Sequence, residues 1–141
     1  PPVFHTPRED LTPRFEPGDP AAVEYFAESG YVVFAAVLSP AEVQHATGLF
    51  WETLELVTEG RVRRGRPETW HGETWPGQAG NGLIAEGMGQ SPFQWYVRTM
   101  PRVLRAFADI WGVEDPGELL VSFDGAGAFR PPAVDPAWRT R

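Results

Sequence analysis

Residues 19–38 read DPAAVEYFAESGYVVFAAVL, and this stretch decides the first half of the fold. Asp19 can cap a helix, and Pro20 suits the first helical position, where no backbone N–H is needed. Gly30 is placed to end that helix in the left-handed conformation. Residues 31–38 are uncharged and rich in β-branched and aromatic side chains. The stretch therefore predicts a helix followed by a strand buried on both faces.

A second helix is predicted directly after this strand. Ser39 can cap it, Pro40 can take the first position, and Glu42 can reach back to complete a capping box. The apolar spacing carries the helix to about Glu59. Residues 19–59 are thus predicted to form a helix–strand–helix unit.

The segments on either side of this unit have a different composition. Residues 1–18 carry five prolines and are predicted to form an extended arm. Residues 60–90 contain eight glycines and no sustained period. A loop of that length in a small domain is usually functional or mobile.

The last part of the chain, residues 91–141, is predicted to contain a helix and the first strands of a core sheet. Thr99 is the expected cap of the helix, and Gly112 is the expected end. Residues 118–124, ELLVSFD, alternate as a strand would. This order of elements predicts the α+β class, with helices packed on one face of an antiparallel sheet.

Composition sets limits on function. The chain has 141 residues, 42% of them apolar, which suits one domain and excludes a disordered chain. The net charge of −7 argues against a nucleic-acid or anionic-membrane surface. No cysteine is present, so disulfides and thiolate metal sites are excluded. No apolar run reaches the ~20 residues of a membrane span, and a cytoplasmic location is expected.

Three stretches of the sequence carry a resemblance when they are taken together. They are YFAESGYVV at 25–33 with VLSPAEV at 37–43, MPRVL at 100–104 leading to IWG at 110–112, and LLVSFDG at 119–125 with FRPP at 129–132. In this order and spacing they resemble the N-terminal half of the phytanoyl-CoA dioxygenase-like family of Fe(II)/2-oxoglutarate oxygenases, which makes the resemblance more specific than any one stretch.

The resemblance implies a fold, two cofactors and a reaction. It implies N-terminal helices packed on strands of an incomplete double-stranded β-helix, the jelly-roll or cupin-like architecture. It also implies Fe(II) and 2-oxoglutarate as cofactors, and hydroxylation of a small or lipid-like organic molecule as the reaction. Whether hydroxylation or halogenation is performed is left open.

The family's iron ligands are missing from this sequence. The family uses a His-x-Asp pair and a distal His, because two imidazoles and one carboxylate bind Fe(II) on one face. This chain has only His5, His45 and His71, and no His-x-Asp. Residues 1–141 are therefore expected to be a single incomplete domain of a longer protein. Alone, the chain is expected to be inactive and to bind neither cofactor.

Three residues near the end of the chain are candidates for a cofactor or substrate pocket. Ser122 and Asp124 share one face of the predicted strand, where a polar pair could line such a pocket. The alternative is that Asp124 begins a turn with Gly125. Arg130 matches the family's basic position before Pro-Pro and is either a pocket cation or a surface residue.

Three further residues are candidates for a substrate entrance: Trp70, His71 and Trp95. The alternative for the tryptophans is that they anchor the glycine-rich loop to the body of the protein. Residues 61–66 carry four arginines, which either bind the phosphate of an acyl-CoA or form a solvated loop.

Two rival functions remain open at the level of sequence. One is a short, non-catalytic binding or interaction domain that retains the family's helical half. The other is a metal hydrolase built on His71 and Glu73, whose spacing places both side chains on one face of a strand. A third ligand for that site would have to be an Asp or Glu.

Overall fold

A computed structural model describes residues 11–77, 82–85 and 87–138. The described residues combine helices and short strands. Four α-helices lie in these ranges, and each begins at a proline: α1 (Pro20–Ser29), α2 (Pro40–Val57), α3 (Pro92–Arg98) and α4 (Pro101–Trp111).

Both ends of α1 are where the sequence predicts them. The Asp19 carboxylate accepts a hydrogen bond from the backbone N–H of Ala21, at 2.9 Å. Gly30 adopts a φ of 75° and donates its N–H to the carbonyl of Phe26. A left-handed cap is inexpensive only for glycine, so the sequence signal is specific.

The capping box of α2 is also confirmed. The backbone N–H of Ser39 donates to Oε2 of Glu42 at 2.7 Å, and the N–H of Glu42 donates to Oγ of Ser39 at 3.3 Å. The hydrogen bond from the Ser39 backbone lowers the pKa of the Glu42 carboxyl. α2 ends at Val57, two residues before the predicted end, and Thr58 is its C-cap.

The prediction of a buried strand over residues 31–38 is wrong in extent. Only Val33–Phe34 (β2) is a strand, and its partner is Arg14–Phe15 (β1), in parallel. Tyr31 is half exposed. β1 is only two residues long, so it can pair with only two residues of the apolar run, and the rest of the run is irregular. β1 belongs to the predicted N-terminal arm, of which residues 1–10 lie outside the described part of the chain.

The predicted strand over residues 118–124 is not formed either. Glu118 ends a short 3₁₀ helix, and residues 119–125 are neither helix nor strand. Strand pairing begins just beyond the predicted strand, where Ala126–Gly127 (β4) pairs antiparallel with Leu83–Ile84 (β3).

The predicted helix that ends at Gly112 is preceded by a separate short one. Met100, not Thr99, is the N-cap residue of α4, and α3 ends at Arg98. Pro101 explains the break, because a residue before proline is driven out of the helical region. Gly112 ends α4 with a φ of 67°, as predicted.

The core lies between α2, the glycine-rich loop and the β3–β4 pair. Four of its six buried members come from residues 60–90, the segment expected to be functional or mobile. The six are Leu54, Val62, Trp75, Ile84, Met88 and Ala126. The loop therefore contributes most of the core. No helix in the described ranges is long and apolar enough to cross a membrane.

Candidate functional site

Arg130 is held in a cluster of tryptophans, which we call the aromatic clamp (Trp51, Trp70, Trp75, Arg130, Trp138). The guanidinium carbon lies 5.0 Å from the ring centre of Trp138 and 5.6 Å from that of Trp75. Nη1 of Arg130 donates to the carbonyl of Trp70 at 2.6 Å. Cation–π contacts of this kind favour arginine because its planar group stacks on rings.

The rings of the aromatic clamp also contact one another. Trp51 and Trp70 are stacked, with centres 5.1 Å apart and planes at 30°. The ring centres of Trp70 and Trp138 are 6.4 Å apart. Nε1 of Trp70 donates to the carbonyl of Arg63 at 2.8 Å. The contacts of Trp70 are therefore those of an anchor that joins the loop to the end of the chain.

The side chain of Arg130 is partly buried, so its charged guanidinium is partly desolvated. Burial lowers the pKa of its guanidinium, and the nearby Asp135 carboxylate partly offsets this effect. Arginine nevertheless stays charged at neutral pH. The two indole faces and the Trp70 carbonyl replace part of the lost hydration.

A second feature, which we call the open groove, runs between α4 and residues 119–124. It encloses about 380 Å³. The short 3₁₀ helix Pro116–Glu118 packs on α4, and the carbonyl of Asp124 accepts a hydrogen bond from Arg98 at the end of α3. The apolar lining includes Val97, Val103, Leu104, Phe107, Trp111 and Leu120.

The open groove has one polar end. Ser122 and Asp124 lie in its wall together with Arg98. Nη1 of Arg98 donates to the carbonyl of Gly89 at 2.6 Å, and Nη2 donates to the carbonyl of Asp124 at 3.3 Å. The guanidinium is fixed by two carbonyls and retains further N–H donors. No local sequence signal marks Arg98, because its partners Gly89 and Asp124 lie 9 and 26 positions away in the chain.

The six residues predicted for a site lie in separate places. Ser122 and Asp124 line the open groove, whereas Trp70 and Arg130 meet in the aromatic clamp. Trp95 packs its ring 6.3 Å from that of Phe123 and donates Nε1 to the side chain of Gln90 at 2.9 Å. His71 is exposed, and its carbonyl accepts the N–H of Trp75.

The described residues do not assemble a metal site. His71 and Glu73 are both exposed, and no group of three His, Asp or Glu side chains in the described ranges is placed to hold an ion. The facial arrangement that Fe(II) needs is therefore not met by these residues. Arginine, serine and aspartate at the groove could orient a substrate by hydrogen bonds and charge.

The chain is similar to a protein of a fungal biosynthesis cluster. The chain is 30% identical, over 129 residues, to the "Ava biosynthesis cluster protein O" of Aspergillus versicolor. The aligned part is 92% of this chain and 40% of that protein, so the chain spans about two fifths of the length of the relative. No family model matches the chain. No solved structure matches it.

Proposed function

We propose that this chain is the N-terminal, substrate-side portion of an Fe(II)/2-oxoglutarate-dependent oxygenase that acts on a small or lipid-like organic molecule. The observation that carries the proposal is the placement of Ser122 and Asp124. Both lie in the wall of an apolar groove with one polar end, on the segment that resembles the strand before the family's metal motif. Such a groove suits a largely apolar substrate with one polar group.

Two further observations support the proposal. The helix–strand–helix order of α1, β2 and α2 matches the family's opening, although β2 is short. The similar protein from Aspergillus versicolor is more than twice as long as the matched region and is named for a biosynthesis cluster. A longer protein of this kind has room for a double-stranded β-helix beyond the matched part.

The iron ligands would have to come from outside the described residues, since these do not form a facial triad. The proposal therefore assigns no metal ligand to this chain. Its own residues would contribute the apolar walls and the Arg98–Asp124 end of a substrate site.

The test compares this chain with the longest product of its parent gene. Succinate formed from 2-oxoglutarate in the presence of Fe(II) is measured for both proteins. We expect succinate from the longer product and none from residues 1–141. A parent gene that encodes no His-x-Asp or His-x-Glu downstream, or succinate formed by this chain alone, would refute the proposal.

A non-catalytic binding domain is the second candidate, and one observation favours it. The core residues around Leu54 are buried by other residues of the described part of the chain, whereas the open groove is accessible. A domain of this kind should be monomeric and melt cooperatively, whereas an incomplete domain should self-associate through its open faces. Size-exclusion chromatography together with thermal melting separates the two.

A further inference from the structure

The polar end of the open groove carries two opposite charges that do not pair with each other. Arg98 and Asp124 both lie in the groove wall. Within the described part of the chain, neither side chain forms an ion pair. A cation and an anion therefore stand near each other, and each can bind a ligand group of the opposite charge.

The guanidinium of Arg98 is fixed by neutral partners. Nη1 donates to the carbonyl of Gly89 at 2.6 Å, and Nη2 donates to the carbonyl of Asp124 at 3.3 Å. These bonds engage two of the five N–H donors of an arginine, so three stay free. Free donors on a planar guanidinium match the two oxygens of a carboxylate. Arg98 is therefore suited to bind a carboxylate of the ligand.

The backbone that carries Asp124 is tied to α3 at two successive residues. Arg98 binds the carbonyl of Asp124, and Nε2 of Gln94 donates to the carbonyl of Gly125 at 3.0 Å. The two charges of the groove are therefore attached to one rigid unit. Groups that are ordered before binding lose less entropy when a ligand binds.

The carboxylate of Asp124 is a free acceptor beside a hydroxyl. The side chains of Ser122 and Asp124 are exposed, and neither hydrogen-bonds to a described residue. An ionised carboxylate only accepts hydrogen bonds, whereas an ammonium group donates three. This side of the groove is therefore suited to an ammonium group.

The dimensions of the groove limit the size of the ligand. Its volume of about 380 Å³ lies at the lower end of the range of about 300–1,000 Å³ that is usual for ligand pockets. Arg98 lies just before α4, which begins at Pro101. At about 1.5 Å per residue, Phe107 lies about 9 Å and Trp111 about 15 Å along the helix from Pro101. A compact side chain that extends from Arg98 reaches the level of Leu104 and Phe107, whereas only a long chain reaches Trp111.

We propose that the open groove binds an α-amino acid with a large apolar side chain. Its carboxylate binds Arg98, its ammonium group binds Asp124 and Ser122, and its side chain contacts Leu104 and Phe107. A ligand with a carboxylate alone would place that carboxylate near Asp124, and an amine alone would leave Arg98 without an anion. The proposal rests on the proposed function in one respect, because it names the substrate class of the same groove.

The first experiment measures ligand binding to residues 1–141 by isothermal titration calorimetry, without Fe(II) or 2-oxoglutarate. The ligands are phenylalanine and three analogues that each lack one feature. Phenylalanine amide lacks the carboxylate, 3-phenylpropanoate lacks the ammonium group, and glycine lacks the side chain. We expect each analogue to bind at least about tenfold more weakly than phenylalanine, because one part of the groove stays without its partner.

Two results of this titration would overturn the proposal. One is the absence of saturable phenylalanine binding, and the other is equal binding of phenylalanine and 3-phenylpropanoate. Neither result changes the succinate that we expect from the longer gene product, so the amino-acid ligand and the oxygenase activity can fail separately.

The second experiment removes the negative charge with Asp124→Asn. This variant keeps the backbone carbonyl that Arg98 binds, so the fold should be unaffected. We expect phenylalanine to bind about tenfold more weakly, and 3-phenylpropanoate to bind at least as tightly as before because a nearby like charge is gone. Glu28→Gln, at an exposed position of α1, is the control and should change neither affinity. An unchanged preference for phenylalanine in Asp124→Asn would contradict the proposal.

The third experiment removes the positive charge with Arg98→Gln. Phenylalanine and 3-phenylpropanoate should both bind at least about tenfold more weakly, whereas phenylalanine amide should bind as it does to the unmodified chain. Thermal melting establishes that the variant is folded. Unchanged binding of the two carboxylates by the folded variant would refute the role of Arg98.

The fourth experiment compares two exposed aromatic residues one turn apart on α4. Phe107 is 57% exposed and Trp111 is 73% exposed, and both line the groove. Phe107→Ala should weaken phenylalanine binding about fivefold, because apolar contact area is lost, whereas Trp111→Ala should leave it unchanged. An equal loss in both variants would indicate a ligand that extends along the whole groove and would exclude a single amino acid.

Discussion

The core beside the aromatic clamp and the open groove both contain large apolar side chains, but in opposite environments. Around the clamp, Leu54, Ile84 and Met88 are fully buried. Along the groove, Trp111 is 73% exposed and Leu120 is 99% exposed. The number of covering elements explains the difference. The clamp region is enclosed by α2, the glycine-rich loop and residues 126–138, whereas the groove has walls only from the helices α3–α4 and residues 119–124.

The two regions should therefore respond very differently to the same mutation. Leu54→Ala should lower the free energy of unfolding by about 2–5 kcal/mol, because it removes a fully buried side chain and leaves a cavity. Leu120→Ala should change the free energy of unfolding by less than about 0.5 kcal/mol. Urea unfolding followed by far-UV circular dichroism measures both changes in the free energy of unfolding. Equal losses would show that the groove is covered in solution.

The next comparison concerns Gly125, which directly precedes β4, and Gly127, which belongs to β4. A Cβ at Gly125 would lie 2.2 Å from the carbonyl oxygen of Ile84, whereas a Cβ at Gly127 would meet nothing within 4 Å. Gly125→Ala should cost about 1–3 kcal/mol through this overpacking, and Gly127→Ala should be nearly neutral. Thermal melting of the two variants checks this. A neutral Gly125→Ala would mean that β3 and β4 are not held together as described.

Arg130→Lys tests the cation of the aromatic clamp. Lysine keeps the charge but loses the planar contacts with Trp75 and Trp138, so the variant should lose about 1–2 kcal/mol of stability. Hydrogen exchange should also increase in residues 126–138. Arg64→Lys, at an exposed arginine, serves as the control and should change neither measurement. Unchanged exchange in Arg130→Lys would argue that the rings alone hold the segment.

The smallest effect is expected at the start of α2, which leads into the clamp region. Ser39→Ala should lower the free energy of unfolding by about 1 kcal/mol, the usual loss of an N-cap.

The other half of the capping box, Glu42, predicts a pH dependence. The pKa of Glu42 is lowered in the folded state, so its contribution to stability is present above the ordinary carboxyl pKa and is lost as pH falls through the folded value. The stability difference between the unmodified chain and Glu42→Gln should therefore shrink in acid. A difference independent of pH would contradict the capping geometry.

Four helix ends could be predicted from the sequence because their signals are local, whereas the cap at Thr99 and the end of α2 at about Glu59 were wrong by one or two residues. Asp19, Ser39, Gly30 and Gly112 each act on backbone groups within a few residues, and all four have the predicted role. Strands could not be predicted in the same way, because a strand needs a partner. The apolar run at 31–38 finds only a two-residue neighbour, and the run at 118–124 finds none among the described residues.

The aromatic clamp shows why a site can escape sequence analysis. Arg130 and Trp70 are both candidates on sequence grounds, but nothing in the sequence indicates that they meet across 60 positions. No sequence signal marks Trp138, although its ring centre lies 5.0 Å from the guanidinium carbon of Arg130. The sequence predicts Ser122 and Asp124 as pocket residues, and they lie in the groove wall. Their role in binding, like the double-stranded β-helix, stays a prediction.

The stacked indoles of Trp51 and Trp70, 5.1 Å apart, have an optical consequence. Two identical chromophores at that separation and a fixed angle share their excited states, which produces a paired positive and negative band in circular dichroism. Trp75 and Trp138 lie about as close to this pair, with ring centres 6.3 to 6.4 Å away, and contribute to the same signal. The bands weaken when the indoles of the aromatic clamp separate, so docking of the loop can be followed without any label.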